Sequence, residues 1–480
     1  MNEIHKILKE KFGHDKFKSV QENIVLNILE NKKHCLVMLP TGGGKSLCYQ
    51  LPALALNGVT LVISPLIALM QDQVDELKRK NIPATFINST VSKNQRISRL
   101  KGFVLGKYKL LYVTPERFRK NEFIETIREA TIELLAVDEA HCISQWGHDF
   151  RPDYSRIAEF RNLIGNPLTI ALTATATPDV QDDIIDKLGL VKDEISIFNQ
   201  GIQRPNLKLE VVDLYDEDEK IQKIIEIYKK YNGSGIVYFS LIKTLELFSE
   251  RLIKNKIPHL VYHGKLQNKE RKYVQRQFLS NDELVLATNA FGMGIDKSDI
   301  RYVIHAELPG SIESYYQEIG RAGRDGKDAL CTLLYREMDL SIQMDFIKWS
   351  NPEAKFYSRL YALLEAEIEK INSMGLEALK EELVFKNRND FRLETALSMF
   401  DRFNATKGDL NKKNLILTGE LPEKLFDQNY IGLKKKNDQM RLLSLVNYFK
   451  EGKCRRVFIS DYFGIEGSDV CNYCDLDSET

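Results

Sequence analysis

A run of three glycines followed by a lysine and a serine stands near the beginning of the chain, in Leu39-Pro-Thr-Gly-Gly-Gly-Lys45-Ser46. Glycines lack the Cβ atoms that would keep successive backbone N–H groups from pointing at phosphate oxygens. The lysine can reach the β- and γ-phosphates of a nucleotide, and the serine offers a hydroxyl to Mg²⁺. An apolar run precedes the segment and a helix-like run follows it, which favours a phosphate-binding loop over a glycine-rich surface turn. We therefore expect the phosphates of ATP to be bound by Thr41, Gly42, Gly43, Gly44, Lys45 and Ser46.

An aspartate and a glutamate directly follow the apolar run Glu133–Val137. Asp138, at the end of a strand, can hold Mg²⁺ through water, and Glu139 can position and deprotonate the water that attacks the γ-phosphate. The alternative is an acidic strand terminus at the start of a helix, but it does not explain why Lys45 and its glycines occur in the same chain. The sequence thus predicts two carboxylates with two roles in phosphoryl transfer.

Two arginines stand three residues apart in Gln317-Glu-Ile-Gly-Arg321-Ala-Gly-Arg324-Asp-Gly326. This spacing predicts that Arg321 and Arg324 lie on one face of a helix, from which both can enter a cleft and stabilise the charge on the γ-phosphate. Two solvated arginines on a surface helix are the alternative, and the surrounding glycines favour the first interpretation. We include Gln317, Arg321 and Arg324 among the catalytic candidates.

The segments that must position these residues alternate between short apolar runs and stretches with helical spacing. Continuous apolar runs are typical of strands buried on both faces of a parallel sheet. In the first part of the chain these runs are Cys35–Leu39, Thr60–Ile63, Lys109–Val113, Glu133–Val137 and Thr169–Leu172. After Arg204-Pro205-Asn206 the runs are Gly235–Phe239, His259–Tyr262, Leu284–Ala287 and Tyr302–His305. The alternation predicts two doubly wound α/β lobes, with ATP bound where they meet.

The composition limits the kinds of partner and the cellular compartment that are compatible with this chain. Lys and Arg together number 68, as do Asp and Glu, so the 480-residue chain is formally neutral. It lacks the overall positive field of a protein that coats nucleic acid, and any nucleic-acid site must be a local patch. Seven cysteines are an odd number in a long chain, which suits a reducing compartment better than a disulfide framework.

No membrane association is expected. The N-terminal residues alternate in charge without an apolar core, so they do not form a secretory signal. The charge-free stretch from Ser46 to Gln71 is interrupted by Pro52, Gly58 and Pro65. These residues divide it into a helix, a turn and a buried strand rather than one membrane span. We expect a cytoplasmic protein, associated with the nucleoid if the source is bacterial.

The motifs, taken in order, resemble those of the RecQ family of DNA helicases in superfamily 2. The matching segments are Thr41–Pro52, Asp138–Tyr154, Leu172–Thr177, Ala287–Asp296 and Gln317–Gly326. The resemblance implies two RecA-like lobes, 3′ to 5′ movement on single-stranded DNA driven by ATP and Mg²⁺, and a role in repair or recombination. Single-stranded, forked or partially duplex DNA is the expected partner, and protein partners stay open.

Two other functional classes share part of this pattern. An RNA helicase or a double-stranded DNA translocase uses the same ATP-driven lobes, and the aromatic segment around Trp146 argues against RNA. An ATP-gated DNA-binding scaffold without turnover would require the loss of Glu139, Arg321 or Arg324, and all three are present.

The resemblance also assigns residues around the adenine. Gln21 matches the family's adenine-binding glutamine, which reads the edge of the base. His14 and Lys18 stand where the family commonly has a Tyr and an Arg that sandwich the adenine, so stacking on the base is expected to be weaker here. Asp296, at the end of its motif, is also placed at the nucleotide.

A loop rich in aromatic residues is expected directly after the two carboxylates. In general an aromatic cluster belongs to a core, but Gly147 and the polar neighbours favour a loop whose exposed rings stack on bases. The resemblance identifies this segment, with Trp146, Phe150 and Arg151, as the one that couples DNA binding to hydrolysis. It also implies phosphate contacts, for which helix capping is the alternative, at Ser64, Thr114, Ser240, Thr288 and Asn289.

The chain changes character from about residue 340 onwards. Apolar residues keep helical spacing to about residue 403, and residues 404–436 then hold two strand-like runs, Leu415–Leu417 and Tyr430–Leu433. Seven lysines against four acidic residues make residues 404–436 positive. The region exceeds the short helical linker expected in this family, and either an inserted winged-helix unit or a plain helical bracket fits it. The predicted domains are 1–204, 205–338, 339–439 and 440–480.

The last predicted domain is a small zinc module. Cys454, Cys471 and Cys474 resemble three ligands of the family's four-cysteine zinc site, and the position of the fourth ligand holds Asp477. A carboxylate can complete a tetrahedral Zn²⁺ site, so a Cys₃Asp set is chemically allowed. Three free thiols on a degenerate remnant are the alternative. The printed sequence ends at Thr480, so we expect a short form without the winged-helix and HRDC modules that many relatives carry after the zinc module.

Overall fold

A computed structural model gives the fold. The described residues are 3–65, 67–88, 90–144, 152–201, 204–292, 295, 297–384, 390–465, 471 and 473–477. The chain divides into two compact units. The first comprises Met1–Glu307, Glu313–Tyr335 and Glu451–Thr480, and the second comprises Leu308–Ile312 and Arg336–Lys450.

A seven-stranded parallel sheet organises the first part of the first unit, with strand order β3-β4-β2-β5-β6-β1-β7. Its strands are β1 (His34–Met38), β2 (Val59–Ile63), β3 (Ala84–Ile87), β4 (Leu110–Val113), β5 (Ile132–Val137), β6 (Leu168–Thr173) and β7 (Ile195–Asn199). Its helices are α1 (Glu3–Phe12), α2 (Gln21–Leu29), α3 (Leu47–Ala55), α4 (Ile67–Arg79), α5 (Lys93–Val104), α6 (Asn121–Ile127), α7 (Ile157–Leu163) and α8 (Pro178–Lys187).

Both faces of this sheet are buried in apolar cores. Side chains alternate along β1, so that Leu36 packs into one core, with Phe103 and Phe160, while Val37 packs into the other, with Ile24. A strand covered on both faces needs apolar residues at every position, which explains the continuous apolar runs in the sequence.

A second, six-stranded parallel sheet has the order β10-β11-β9-β12-β13-β8. Its strands are β8 (Leu207–Asp213), β9 (Gly235–Phe239), β10 (Leu260–Tyr262), β11 (Leu284–Thr288), β12 (Tyr302–His305) and β13 (Ala329–Tyr335). Its helices are α9 (Glu217–Lys230), α10 (Ile242–Lys254), α11 (Asn268–Ser280) and α12 (Ile312–Ile319). The prediction of two doubly wound α/β lobes is confirmed.

Four strands lie outside the runs that the sequence analysis identified, namely β3, β7, β8 and β13. β8 and β7 are edge strands, and most of their residues are partly or fully exposed. Polar residues at these exposed positions interrupt the continuous apolar run that marks the other strands. β13 is fully buried, and it was overlooked because it directly follows the glycine-rich segment that ends at Gly326.

The second unit is built mainly from helices. They are α13 (Leu340–Trp349), α14 (Ala354–Met374), α15 (Leu376–Val384), α16 (Arg392–Arg402) and α17 (Gln428–Lys450). Between α16 and α17, β14 (Thr406–Lys407) and β15 (Ile416–Leu417) form a short antiparallel hairpin. Leu364, Phe400 and Leu425 belong to the apolar core of this unit.

One of the two predicted strand-like runs is wrong. Tyr430–Leu433 lies in the first turns of α17, where Asp427 accepts a hydrogen bond from the backbone N–H of Asn429 at 2.8 Å. Tyr430 and Ile431 pack against the core of the second unit from this helix, and that tertiary contact overrides their β-propensity. The predicted boundary at 439/440 falls inside α17.

A short helix, α18 (Arg455–Tyr462), follows in the first unit. Ile459 and Phe463 are buried, at 3% and 2% exposure, and Cys474 forms a parallel bridge to Leu209 of β8. Among the residues that the structure describes, no helix combines the length and apolar character needed to cross a membrane.

The close packing of β9 on β12 leads to a stability prediction. Alanine at Gly235 would place its Cβ inside the ring of Tyr302, so Gly235→Ala should lower the free energy of unfolding by at least ~1–3 kcal/mol. Gly432→Ala is the matched control, because its site on α17 has no neighbour within 4 Å of the new Cβ. It should be neutral or stabilising by up to ~1 kcal/mol. Calorimetry of both variants would contradict the packing argument if Gly235→Ala melted like the wild type.

Candidate functional site

The carboxyl end of the first sheet carries the candidate residues in an order set by the strands. Going from β1 across β6, β5 and β2 to β4, the chain leaves each strand at the same edge because all pairings are parallel. In that order, β1 leads into the glycine loop with Lys45, β6 into the segment from Thr173 to Thr175, β5 into Asp138 and Glu139, β2 into Ser64, and β4 into Thr114. The edge therefore places the nucleotide candidates at one end and two nucleic-acid candidates at the other.

The glycine loop has the backbone that a phosphate requires. Gly42 and Gly44 have φ of +81° and +77°, values that side-chain-bearing residues rarely adopt. Lys45 Nζ donates to the carbonyl oxygen of Leu39 at 3.3 Å. Ser46 stands at the N-terminus of α3, where the positive end of the helix dipole favours an anion.

Gln21 is tied to this loop by both ends of its carboxamide. Its Nε2 donates to the carbonyl oxygens of Gly43 and Gly44 at 3.1 and 3.2 Å, and its Oε1 accepts from the backbone N–H of Lys18 at 2.9 Å. The side chain is buried, whereas His14 and Lys18 are exposed. The recognition of adenine by Gln21, His14 and Lys18 stays a prediction, and the geometry adds a role for Gln21 in holding the loop.

The carboxylates of Asp138 and Glu139 lie close together and are partly shielded from solvent. Burial, together with the neighbouring charge of Glu139, raises the pKa of Asp138 to about 7. Glu139 has a left-handed backbone, with φ of +47°, and its N–H donates to Oδ1 of Asp138 at 3.0 Å. Strained backbone of this kind persists where the surroundings fix it, here including the Tyr154 hydroxyl, which donates to the Asp138 carbonyl at 3.0 Å.

A histidine joins this segment to the end of β6. Nδ1 of His141 lies 2.9 Å from Oγ1 of Thr173 and 3.4 Å from Oε2 of Glu139. Thr173 Oγ1 in turn contacts the backbone of Thr175. No local pattern in the sequence predicts this link, since it joins residues far apart in the chain, and only the match of Leu172–Thr177 to a motif indicates that the segment is functional.

The two arginines do not share a helix face, and that prediction is wrong. α12 ends at Ile319, and Arg321 and Arg324 lie in the turns that follow, where Gly323 adopts a left-handed conformation with φ of +54°. The two side chains have different surroundings. Arg321 is 8% exposed and donates to the carbonyl oxygen of Gly292 in its own lobe.

Arg324 lies across from the glycine loop. An ideal Cβ on Gly42 would be 3.4 Å from Cγ of Arg324. The guanidinium of Arg324 donates to the carbonyl oxygens of Gly320 and Ile295, each at 3.4 Å. Arg324 is thus the arginine that the fold brings to the phosphate-binding loop. Gln317 is half-buried in α12, and Asp296 lies outside the described residues.

The second lobe repeats the arrangement of nucleic-acid candidates at a carboxyl edge. Ser240 follows β9 and Thr288 ends the adjacent β11, with exposed Asn289 next to it. The backbone N–H groups of Ser240 and Leu241 both donate to Oε2 of Glu307, at 2.7 and 2.9 Å. Trp146, Phe150 and Arg151 lie outside the described part of the chain.

The three predicted zinc cysteines converge. The Sγ atoms of Cys454, Cys471 and Cys474 lie within 4.8 Å of one another. Bonds of about 2.3 Å at tetrahedral angles place zinc thiolates about 3.8 Å apart, so the cluster fits Zn²⁺. Burial alone would raise the pKa of the Cys454 thiol, but hydrogen bonds from backbone N–H groups, among them that of Cys471, outweigh burial and lower it.

The fourth ligand is not settled by these contacts. Asp477 ends the short 3₁₀ helix Asp475–Asp477, and its side chain lies outside what the structure describes. The neighbouring Asp475 is engaged elsewhere, because it pairs with Arg455 at 2.9 Å and accepts from the backbone N–H of Val211 at 3.0 Å. Asp477 as a ligand therefore stays a prediction.

Family models match most of the chain. Residues 18–184 match the DEAD/DEAH box helicase family, residues 219–326 match the helicase conserved C-terminal domain, and residues 421–478 match the RecQ zinc-binding family. The zinc-binding match begins before the predicted module at 440–480 and includes α17.

Known proteins are similar over different shares of their length. The ATP-dependent DNA helicase RecQ of Bacillus subtilis is 47% identical over 352 residues, which are 73% of this chain and 59% of that protein. The probable ATP-dependent DNA helicase RecS of the same organism is 37% identical over 454 residues, 94% of this chain and 89% of that protein. The chain thus spans little more than half of the first relative and most of the second.

Solved structures support the fold. Saccharomyces cerevisiae Dbp5 bound to RNA and ADP–BeF3 is 19% identical, with a TM-score of 0.56, over 72% of this chain and 90% of that chain. The DUF1998 helicase MrfA bound to DNA and AMPPNP is 20% identical, with a TM-score of 0.58, over 72% of this chain and 52% of that chain. The two sheets are therefore RecA-like lobes, as expected.

The cysteine cluster leads to a prediction about metal content. Purified protein should contain close to one zinc per chain, because three thiolates and one further ligand complete a tetrahedral site. Under a chelator, Asp477→Ala should lose zinc faster than the wild type and Asp477→Cys more slowly, measured by atomic emission and a zinc-sensitive dye.

Asp461→Ala is the control for these variants, since Asp461 is an exposed carboxylate of α18 that pairs with Lys453. It should release zinc at the wild-type rate. Protein without zinc would favour three free thiols, and equal release from all four proteins would rule out Asp477 as a ligand.

Proposed function

The chain belongs to the RecQ family of ATP-dependent DNA helicases, and we propose that it couples ATP hydrolysis between its two RecA-like lobes to 3′ to 5′ movement along single-stranded DNA. The observation that carries this proposal is the position of Arg324 of the second lobe against Gly42 of the first. Groups from both lobes can then act on one phosphate chain, so that hydrolysis changes how the lobes are held together.

In this proposal the glycine loop and Lys45 bind the phosphates, and Ser46 and Asp138 hold Mg²⁺. Asp138 fits a divalent cation, because its carboxylate is buried beside a second carboxylate and needs positive charge to stay ionised. The cation supplies charge neutralisation to the phosphates. Glu139 orients and deprotonates the attacking water, and Arg324 stabilises the charge that develops on the transferred phosphoryl group.

DNA reaches this site along the carboxyl edge. Ser64 and Thr114 in the first lobe, with Ser240, Thr288 and Asn289 in the second, supply polar groups for backbone phosphates, which fix register without reading sequence. His141 connects Glu139 to Thr173 and immediately precedes the segment that holds Trp146, Phe150 and Arg151. We propose that bases stacking on this aromatic segment shift Glu139 into its active position.

The relatives favour DNA over RNA as the partner, since both B. subtilis proteins are named DNA helicases. An RNA helicase remains the second candidate, because Dbp5, with the same fold, was solved with RNA bound. A scaffold without turnover is disfavoured by the presence of Glu139, Arg321 and Arg324. A cytoplasmic, nucleoid-associated location and a role in repair or recombination remain our predictions.

The second unit is proposed to add a contact to forked or partially duplex DNA. α14, α15 and α16 followed by the β14–β15 hairpin have the order of a winged helix. Lys407, Lys412 and Lys413 are exposed on the hairpin and its loop, where a wing meets a phosphate backbone.

Hydrolysis is tested first. Glu139→Gln should reduce DNA-stimulated phosphate release by ~10²–10⁴-fold, because the water loses its general base, and Lys45→Ala should do the same. Glu129→Gln, an exposed glutamate just before β5, is the control and should hydrolyse at the wild-type rate. Rates with single-stranded DNA and with RNA of the same sequence should differ in favour of DNA. Wild-type turnover by Glu139→Gln would show that the base is another residue.

The proposed wing, the β14–β15 hairpin, is tested by charge reversal rather than by deletion. Deletion would remove Leu410, Leu415 and Leu425, which belong to the core of the second unit. Changing Lys407, Lys412 and Lys413 together to Glu should weaken forked-DNA binding at least ~10-fold and leave single-strand binding within about twofold. The control reverses three exposed lysines on α13 and α14, Lys348, Lys355 and Lys370. Equal loss in both variants, measured by anisotropy at fixed salt, would favour a plain helical bracket.

A further inference from the structure

The segment between the two sheets holds an arginine whose hydrogen bonds reach both lobes. Nη2 of Arg204 donates to the carbonyl oxygens of Ala322 and Gly323 at 2.7 and 2.8 Å. Nη1 donates to the carbonyl oxygens of Gly320 and Thr41, each at 3.4 Å. One guanidinium thus joins the glycine loop of the first lobe to the turn that carries Arg321 and Arg324 in the second.

The neighbouring Asn206 holds the same turn from another direction. Its Nδ2 donates to the carbonyl oxygens of Gly323 and Lys327 at 2.8 and 2.7 Å. A Cβ on Gly323 would overlap this amide, so the contact requires glycine there. Since Gly323 directly precedes Arg324, Arg204 and Asn206 together fix the backbone from which Arg324 extends.

The zinc module contacts the linker, the segment between β7 and β8 that contains Arg204 and Asn206. Nη2 of Arg456 donates to the carbonyl oxygens of Pro205 and Leu207, both at 2.7 Å. Arg456 is two residues after Cys454, at the start of α18, and its guanidinium lies 5.7 Å from the ring centroid of Tyr473, between Cys471 and Cys474. The linker backbone on both sides of Asn206, directly after Arg204, is therefore anchored to the metal-binding segment.

Charge pairing does not explain Arg204. Among the described residues no carboxylate lies within ion-pair distance of it, and its hydrogen bonds go to carbonyl oxygens. A planar guanidinium with several donors suits this task, whereas a lysine has a single ammonium that cannot span carbonyls from two lobes. An arginine that only made the linker more soluble would not need hydrogen bonds to carbonyl oxygens of both lobes.

We propose that Arg204 is a positioning residue for ATP hydrolysis, which sets the place of Arg324 relative to the glycine loop and is itself supported by Arg456 of the zinc module. This inference rests on the proposed ATPase function. Arg204 donates to backbone carbonyls and, through Nε, to Oδ1 of Asn206 at 3.4 Å, and its effect on the γ-phosphate passes through Arg324.

The test is Arg204→Lys, which keeps the positive charge and loses the fork. Because a misplacement near 1 Å can cost ~10²-fold in rate, kcat for DNA-stimulated hydrolysis should fall by ~10–100-fold. KM for ATP and the affinity for single-stranded DNA should stay within about twofold of the wild type, and zinc content should not change.

Arg161→Lys is the matched control. Arg161 is a buried arginine that, like Arg204, donates to a backbone carbonyl, that of Gly189 at 3.4 Å; it also donates to Oγ1 of Thr169 at 3.1 Å, near the opposite end of the first sheet. It should share any loss of thermal stability and keep the wild-type kcat. An equal fall of kcat in Arg161→Lys would assign the effect to stability and overturn the proposal.

A double-mutant cycle separates positioning from a direct role. If Arg204 acts through Arg324, then Arg204→Lys should reduce the residual rate of Arg324→Ala by less than about twofold. A full further loss in that background would overturn the proposal. Should Arg204→Lys fail to fold, Arg456→Gln gives the second test, with an expected loss of kcat at unchanged zinc content and ATP KM. Unchanged kcat there would count against the zinc-module support.

Hydrolysis by the wild-type protein distinguishes failure of the proposed function from failure of the proposed role of Arg204. Wild-type protein without DNA-stimulated hydrolysis would overturn both the function and the role of Arg204. Wild-type hydrolysis together with normal kcat in Arg204→Lys would overturn the positioning role alone.

Discussion

In a parallel sheet whose strands are buried on both faces, functional side chains can stand only at the ends of the strands. In β1, Leu36 and Val37 already belong to different cores, so the middle of the strand is apolar on both faces. Functional groups therefore follow the apolar run of each strand, as Asp138 follows Val137 and Ser64 follows Ile63. The order of the strands then sets the order of the groups. A single strand, β6, separates the glycine loop from the acidic pair, and β2 and β4 carry the nucleic-acid candidates further along the same edge.

The charges at this edge are held in surroundings that disfavour them. Asp138 is buried beside Glu139, and Glu139 has a backbone conformation that costs on the order of 1–3 kcal/mol. Residues fixed in the core hold this segment, because the Tyr154 hydroxyl donates to the backbone carbonyl of Asp138. Nδ1 of His141 lies 3.4 Å from Oε2 of Glu139 and 2.9 Å from Oγ1 of Thr173. A site that meets a triphosphate and a divalent cation benefits from this arrangement, because its carboxylates do not have to reorganise when positive charge arrives.

Arginines that bind backbone carbonyls form the connections between distant parts of the first unit. Arg204 joins the glycine loop to the Arg324 turn, and Arg456 joins the metal-binding segment to the linker. Bonds to carbonyls fix the backbone itself, so a displacement of the linker moves a whole turn rather than one side chain. The zinc module adds few buried apolar residues of its own, among them Ile459 and Phe463, and it packs against β8. Structural zinc can contribute on the order of 10–16 kcal/mol to such a module, so a bound metal would be the main support of Arg456.

The sequence by itself was sufficient for the features that depend on neighbours in the chain. Apolar runs identified most buried strands, the glycines identified the phosphate loop, and the spacing of Cys471 and Cys474 identified a metal-binding segment, since each pattern expresses a local requirement. Contacts between distant residues decided the rest. The tertiary structure separated Arg321 from Arg324 by ending α12 at Ile319, and it placed Tyr430 in a helix through packing on a core assembled from other helices. It also brought Arg204 to carbonyls more than a hundred residues away in the chain, because a backbone carbonyl is present at every residue and leaves no trace in the sequence that identifies its partner.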